Sequence, residues 1–220
     1  MKYSVCVPAV LGGKEIDEAL KAVRDAGFDS YEFWGWWDEN QDMDQYLAAQ
    51  EKYSLTPVAL CTKFVPLTDP AQRDAYVKGL QETIEVCKKL GCGTIISQVG
   101  NDMTGMTREA QHASIVDGLK ECASMLEESG VTLVIEPLNT KIDHVGYYMW
   151  SSEEGYQVVD EVGCKNIKVL FDLYHQYIMD DLDMEKVLAN MDKIAHFHVA
   201  GYPGRHEPLI DSEIAYPSIL

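Results

Sequence analysis

Toward the end of the 220-residue chain, His196-Phe197-His198-Val199-Ala200 runs directly into Gly201-Tyr202-Pro203-Gly204-Arg205-His206-Glu207-Pro208, a short apolar strand followed by a loop dense in titratable side chains. Side chains at i and i+2 of an extended segment project to the same face. His196 and His198 therefore place two imidazoles together on whichever side of a sheet they share. Irregular loops rich in such groups are where a rigid scaffold presents chemistry. Pro203, Gly204 and Pro208 restrict the loop that carries Arg205, which suits its guanidinium to clamping an anionic or hydroxyl oxygen.

Other short apolar runs also end in polar residues. Glu32, Lys63, Gln98, Glu136, Asp172 and His198 each close one, with His175 just beyond Asp172. Glu136, Asp172 and His198 close three successive runs. Two carboxylates and an imidazole sharing a cavity need a cation between them, because buried like charges are costly. A divalent metal meets that need. Oxygen-rich ligation with one nitrogen and no thiolate favours Mn²⁺ or Mg²⁺, with Zn²⁺ and Co²⁺ compatible through the imidazole. Each residue also has a structural reading: Glu136 as partner of a lysine, Asp172 as cap of a following helix, His198 as a hydrogen-bonded core histidine, Glu32 as half of an ion pair. Convergence of all three at consecutive strand ends favours a site. Trp34, Trp36 and Trp37 form an aromatic group that suits a core, an interface or a sugar-stacking wall equally.

The elements that would position these groups follow a βαβ cadence. β-branched or aromatic runs alternate with amphipathic segments that end in glycine. Strands are expected near residues 3–8, 29–34, 55–61, 93–98, 131–136, 167–172 and 194–199. Helical spacing is clear in Ile16, Leu20 and Val23 before Gly27, in Tyr76, Leu80, Ile84 and Cys87 before Gly91, and in Ile115, Leu119, Cys122 and Leu126 before Gly130. Units recur without a linker or a shift in composition, which predicts one TIM-type (β/α) barrel domain over residues 1–220, lacking its eighth strand, rather than two domains. An open doubly wound sheet is the alternative. The turn after the first strand lacks the G-x-G-x-x-G spacing of a dinucleotide site.

Composition narrows the partners. Thirty-six acidic residues against 18 basic ones give a formal charge of −18, which repels phosphate backbones and anionic lipid. Neither nucleic acid nor membrane is an expected partner. Tyr3 to Leu11 is apolar but short and contains Pro8, so it reads as a strand rather than a signal peptide. Six scattered cysteines, with Cys87 and Cys92 at the wrong separation for a zinc knuckle, read as reduced thiols in a cytoplasmic protein. An uncovered barrel edge invites association, so a homo-oligomer is a further expectation.

Four runs carry a resemblance: Val134-Ile135-Glu136-Pro137-Leu138-Asn139 with Asp143-His144-Val145-Gly146-Tyr147-Tyr148; Phe171-Asp172-Leu173-Tyr174-His175-Gln176; His196 to Pro208; and Ser212-Glu213-Ile214-Ala215-Tyr216-Pro217. Together they resemble the xylose-isomerase-like (β/α) barrel superfamily and, within it, the hydroxypyruvate isomerase family. The resemblance implies a divalent metal held by Glu136, Asp172 and His198, a position where this family usually has Gln and ketose 3-epimerases have His. It implies a fourth ligand, a carboxylate from an eighth strand, for which Glu213 or a partner chain is the substitute here. It also implies isomerisation of a small hydroxy-carbonyl compound, a sugar or hydroxy-keto acid, through an enediolate. In that reading Glu136 is the base, and His175 and Arg205 hold substrate oxygens. The alternatives are a ketose 3-epimerase and a truncated, non-catalytic barrel that binds metal or sugar. An apurinic-site endonuclease shares the fold, but the acidic charge argues against it.

Overall fold

The structure, a computed structural model, describes residues 2–208 and 211–219. Seven parallel strands, β1 (Val5–Cys6), β2 (Ser30–Phe33), β3 (Thr56–Cys61), β4 (Thr94–Ser97), β5 (Thr132–Ile135), β6 (Ile167–Asp172) and β7 (Ile194–His198), lie side by side in chain order in one sheet. The sheet is strongly curled. Glu32 on β2 and His198 on β7 approach to 3.0 Å across its inner face, though four strands separate them in the order. This is the expected β/α barrel, with no eighth strand among the described residues. β1 and β7 are the sheet's two edges.

All seven strands fall where the apolar runs predicted them, with one correction. The first was expected over residues 3–8, but β1 ends at Cys6 and the chain turns into helix α1 (Val7–Leu11). Proline lacks an amide hydrogen and has a fixed φ, so it suits a helix's first turn better than a ladder; Pro8 sits in that first turn.

Helices α2 (Ile16–Asp25), α3 (Met43–Tyr53), α4 (Arg73–Leu90), α5 (Arg108–Ser129) and α6 (Ser152–Val162) follow successive strands. Three of their starts are encoded by side chains that accept a free first-turn amide: Asp42 for α3, Thr107 for α5 and Ser151 for α6. Short α7 (Leu173–Ile178), α8 (Met184–Ala189) and α9 (Tyr216–Ile219) complete the order. The main core lies between sheet and helices, whereas Ala59, Cys61, Ile96, Val134 and Leu170 form a separate small cluster. Glu136 and Asp172 stand two residues after Val134 and Leu170, so pleating directs them to the same face one layer nearer the strand ends. The last segment is pinned to the end of β7: the Tyr216 hydroxyl donates to the Ala200 carbonyl (2.8 Å) and accepts from its amide (3.2 Å). Phe197 and Val199, on the opposite face of β7 from the histidines, remain about two-fifths exposed at 38% and 41%.

Candidate metal and substrate site

The sheet gathers the expected residues at the C-terminal mouth. Asp172 and His198 are register partners on β6 and β7. Glu136, one residue past β5, is held by its backbone: its amide donates to the Ser97 carbonyl (3.2 Å), and its carbonyl accepts from the Tyr147 hydroxyl (3.1 Å). That hydroxyl also accepts from the Val99 amide at 2.8 Å, tying the ends of β4 and β5 together. Tyr147 is therefore buried support for the site. Its neighbour Tyr148 is buried too, with its hydroxyl on the Arg108 carbonyl at 3.1 Å.

Asp172 makes the helix cap read from the sequence and keeps its second oxygen out of that cap. One oxygen, Oδ1, caps α7 by accepting from the amides of Tyr174 (2.8 Å) and His175 (3.2 Å). The other, Oδ2, lies 3.5 Å from His175 Nε2 and 3.9 Å from His198 Nδ1. A carboxylate positioned through one oxygen presents the other without further rotamer freedom. Burial pushes the Asp172 carboxyl above its ordinary pKa, with the His198 charge pulling the other way.

His198 stands between two carboxylates. Its Nδ1 is 3.3 Å from Glu136 Oε1, and its Nε2 is 3.0 Å from Glu32 Oε2. Glu32 is buried and also accepts from His196 Nε2 (3.2 Å) and from the Ser4 hydroxyl (2.8 Å). Burial opposes charge on the imidazole, yet Glu32 and Glu136 together raise the His198 pKa well above the ordinary value. Burial likewise opposes charge on Glu32, but the charge of His198 and the hydrogen bonds from both histidines hold its carboxyl well below the usual range. The ion pair expected of Glu32 therefore exists, and its partners are the site's own histidines.

Metal-type donor atoms converge in two groups, each within 4.8 Å: Glu32, His196 and His198, and Glu136, Asp172 and His175. His198 joins them. Its Nε2–H donates to Glu32, which leaves Nδ1, once deprotonated, with a lone pair toward Glu136 and Asp172. A metal-ligating histidine whose other nitrogen donates to a carboxylate is the usual arrangement of such sites. The donor set of Glu136, Asp172 and His198 thus suits a divalent cation, with Glu32 orienting the imidazole.

Beyond these groups, α7 and the loop after β7 bring further polar side chains to the mouth. Arg205, at φ 51° in the left-handed region that non-glycine residues rarely occupy, brings NH2 to 3.1 Å from His175 Nε2. Its guanidinium carbon lies 5.3 Å from the Tyr174 ring centroid, and its NH1 is 3.9 Å from Asp143 Oδ1. Burial lowers the His175 pKa to about 3, so the ring is neutral at physiological pH. The ring of His144 packs edge-on against that of His175 at 5.2 Å.

The remaining sequence candidates separate cleanly. Gln98 belongs to the mouth, its Nε2 donating to Glu136 Oε2 at 3.4 Å. Lys63 pairs instead with Glu82 on α4 and lies 5.2 Å from the Trp36 ring. Trp36 donates to the Cys61 carbonyl at 2.9 Å, and Trp37 meets Phe64 edge-on, which leaves Trp34 exposed. Glu213 accepts from the Tyr177 hydroxyl at 3.3 Å and belongs to neither converging donor group. Sequence reasoning assigned no role to His196 or Asn139. The shared face of His196 and His198 was the available signal for the first; Asn139, three residues after Glu136, carried none until its contacts were seen.

Fold and mouth together define a β/α barrel with an acid-and-histidine centre at the C-terminal ends of its strands. The family model for xylose isomerase-like TIM barrels matches residues 20–220, and the chain belongs to that family, within it to the hydroxypyruvate isomerase group. Hydroxypyruvate isomerase of Escherichia coli K12 is 31% identical over 139 residues, covering 63% of this chain and 54% of that protein. For 2-oxo-tetronate isomerase of Cupriavidus necator the identity is 35% over 149 residues, covering 67% of this chain and 56% of that protein. The chain thus spans about half the length of these curated relatives. Among solved structures, a family 2 AP endonuclease from Brucella melitensis superposes with a TM-score of 0.90 at 23% identity, covering 99% of this chain and 86% of that one. D-allulose 3-epimerase from Methylomonas sp. in complex with D-allulose gives 0.77 at 20% identity, covering 100% and 80%. The zinc-bound IOLI protein gives 0.78 at 20%, covering 91% and 73%. At these identities the likeness is one of fold.

The cysteines are all free, and all but the half-buried Cys6 are buried. No helix among the described residues is long and apolar enough to cross a membrane.

Proposed function

We propose that this chain is a metal-dependent isomerase of a small hydroxy-carbonyl compound, a sugar or hydroxy-keto acid of the hydroxypyruvate type, working by proton transfer through an enediolate. The observation that carries this reading is the convergence of Glu136 Oε1 and Asp172 Oδ2 on His198 Nδ1, at 3.3 and 3.9 Å, where three neighbouring strands end. A divalent ion held there, Mn²⁺ or Mg²⁺ in preference to Zn²⁺ or Co²⁺, supplies Lewis-acid stabilisation of charge developing on substrate oxygen.

The chain's own residues do the rest. Glu136 is the base: its carboxylate takes the proton from one carbon and returns it to the neighbouring one. Gln98, on Oε2, holds that carboxylate in orientation. Arg205 and His175 bind substrate oxygens, and a substrate carboxylate is the natural partner of the guanidinium. The accompanying reading is one cytoplasmic domain, with self-association through the β1 and β7 edges.

A ketose 3-epimerase is the second reading, supported by histidine at residue 198 and by the fold shared with D-allulose 3-epimerase. A non-catalytic metal- or sugar-binding barrel is the third, because no third carboxylate joins the donor group of Glu136 and Asp172 among the described residues. Proton NMR of hydroxypyruvate and a panel of ketoses in D₂O with Mg²⁺ separates the three, with Glu136→Gln as the control for spontaneous enolisation. Exchange at a single carbon, lost in Glu136→Gln, is the expected result. The carbon that exchanges distinguishes isomerase from epimerase. Equal exchange by both proteins would remove Glu136 from the role, and none by either would favour the binding barrel.

A further inference from the structure

His175 contributes to one of the two converging donor groups, which leaves open whether it is a ligand, a base or a hydrogen-bond donor. Asn139 decides. It is fully buried, as is His175. Its Oδ1 accepts from the backbone amides of Ile142 (3.1 Å) and Asp143 (2.9 Å), and two N–H donors at one atom identify that atom as the oxygen. Nδ2 must then be the amide nitrogen. One of its hydrogens points to Asp143 Oδ2 at 2.6 Å and the other to His175 Nδ1 at 2.6 Å. A ring nitrogen that accepts a hydrogen bond carries no proton, so the proton of the neutral ring is on Nε2.

The consequence is felt at Arg205. Its NH2 lies 3.1 Å from His175 Nε2, but an N–H cannot accept from a guanidinium. Asp172 Oδ2, at 3.5 Å, is too distant to satisfy that N–H well. Two donors therefore face the same place with no acceptor between them, an arrangement that an acceptor oxygen of a ligand would complete.

We propose that Asn139 is a positioning residue that fixes His175 as an Nε2–H donor, so that His175 and Arg205 together bind one acceptor oxygen of the substrate, and His175 acts neither as metal ligand nor as base. The proposal rests on the reading of His175 and Arg205 as substrate-binding groups. It assigns the two site histidines opposite tasks: His198 offers a lone pair at Nδ1, whereas His175 offers a proton at Nε2.

The test is ¹⁵N NMR of the imidazole rings in the full chain labelled at histidine, loaded with Mg²⁺, with the His175 signals assigned from their loss in His175→Asn. The expected wild-type spectrum has His175 protonated at Nε2 and bare at Nδ1; a proton on Nδ1 would overturn the proposal. In Asn139→Asp the new carboxylate accepts where the amide donated, and the ring proton is expected on Nδ1. An unchanged ring in that variant would also overturn it. In kinetics on the substrate found by proton exchange, Asn139→Asp should lower kcat/KM about tenfold, the size of one lost hydrogen bond. The double variant with His175→Asn should be no worse than His175→Asn alone, since Asn139 acts through that ring. Additive losses would instead mark Asn139 as ordinary structural support and end the proposal. Absence of turnover in the wild type alongside an Nε2–H ring would sink the isomerase reading and leave the tautomer assignment standing.

Discussion

Replacing Glu32 with glutamine tests the logic of the proposed metal centre away from its proposed ligands. The Glu32 carboxylate accepts from His198 Nε2 at 3.0 Å, from His196 Nε2 at 3.2 Å and from the Ser4 hydroxyl at 2.8 Å, and it is buried. Glutamine keeps the size and one acceptor but loses the charge that makes His198 a basic ligand. Removing a carboxylate of this kind typically costs 10- to 100-fold in metal affinity, about 1 to 3 kcal/mol. Competition titration of Mn²⁺ against a chelating dye at neutral pH reads the effect directly. Ser4→Ala is the control: it removes one neutral hydrogen bond, costs about 1 kcal/mol of stability, and leaves the charge and the affinity in place. Wild-type affinity in Glu32→Gln would refute the reasoning. So would an anomalous-scattering peak between Glu32 and His196, since that would make Glu32 a ligand rather than the residue that orients one.

Three further outcomes follow from the same geometry. Metal at His198 Nδ1 must displace a proton, so apparent Mn²⁺ affinity should rise about tenfold per pH unit below the raised His198 pKa; a flat profile in titrations at two pH values would exclude Nδ1 ligation. In the metal-free chain, His198 contributes stability that is full below the ordinary imidazole pKa and is lost as pH rises through its raised folded value. Glu32, depressed, contributes above the ordinary carboxylate pKa and loses that contribution as pH falls through its folded value. Thermal melts should therefore show the pair's contribution between those limits, and Glu32→Gln should flatten both flanks. Finally, burial holds the Asp172 carboxyl above its ordinary pKa, so its charge costs stability when no metal is bound. Asn still accepts from the amides of Tyr174 and His175, so Asp172→Asn should raise the metal-free melting temperature at neutral pH while weakening Mn²⁺ binding; a lower melting temperature would contradict the assigned cost.

The sequence by itself determined the positions of the seven strands, three of the longer helices with the glycines that follow them, and the three residues that close β5, β6 and β7. These are local facts: a run of β-branched residues, an Asp or Ser whose side chain accepts a first-turn amide, and a glycine after the last turn act over a few residues and can be read one segment at a time. Even the local reading failed where two signals competed, and at Pro8 the helix's first turn won over the apolar run. Only the tertiary structure decided who meets whom. Glu32 and His198 are 166 positions apart, and their contact exists because the sheet curls until its second and seventh strands share one interior. The tautomers of His198 and His175, and hence which ring can hold a metal and which can donate to a ligand, are set by Glu32 and Asn139, partners brought within hydrogen-bond range by that closure. A hydrogen bond is decided over tenths of an ångström, a scale fixed by packing and invisible to periodicity.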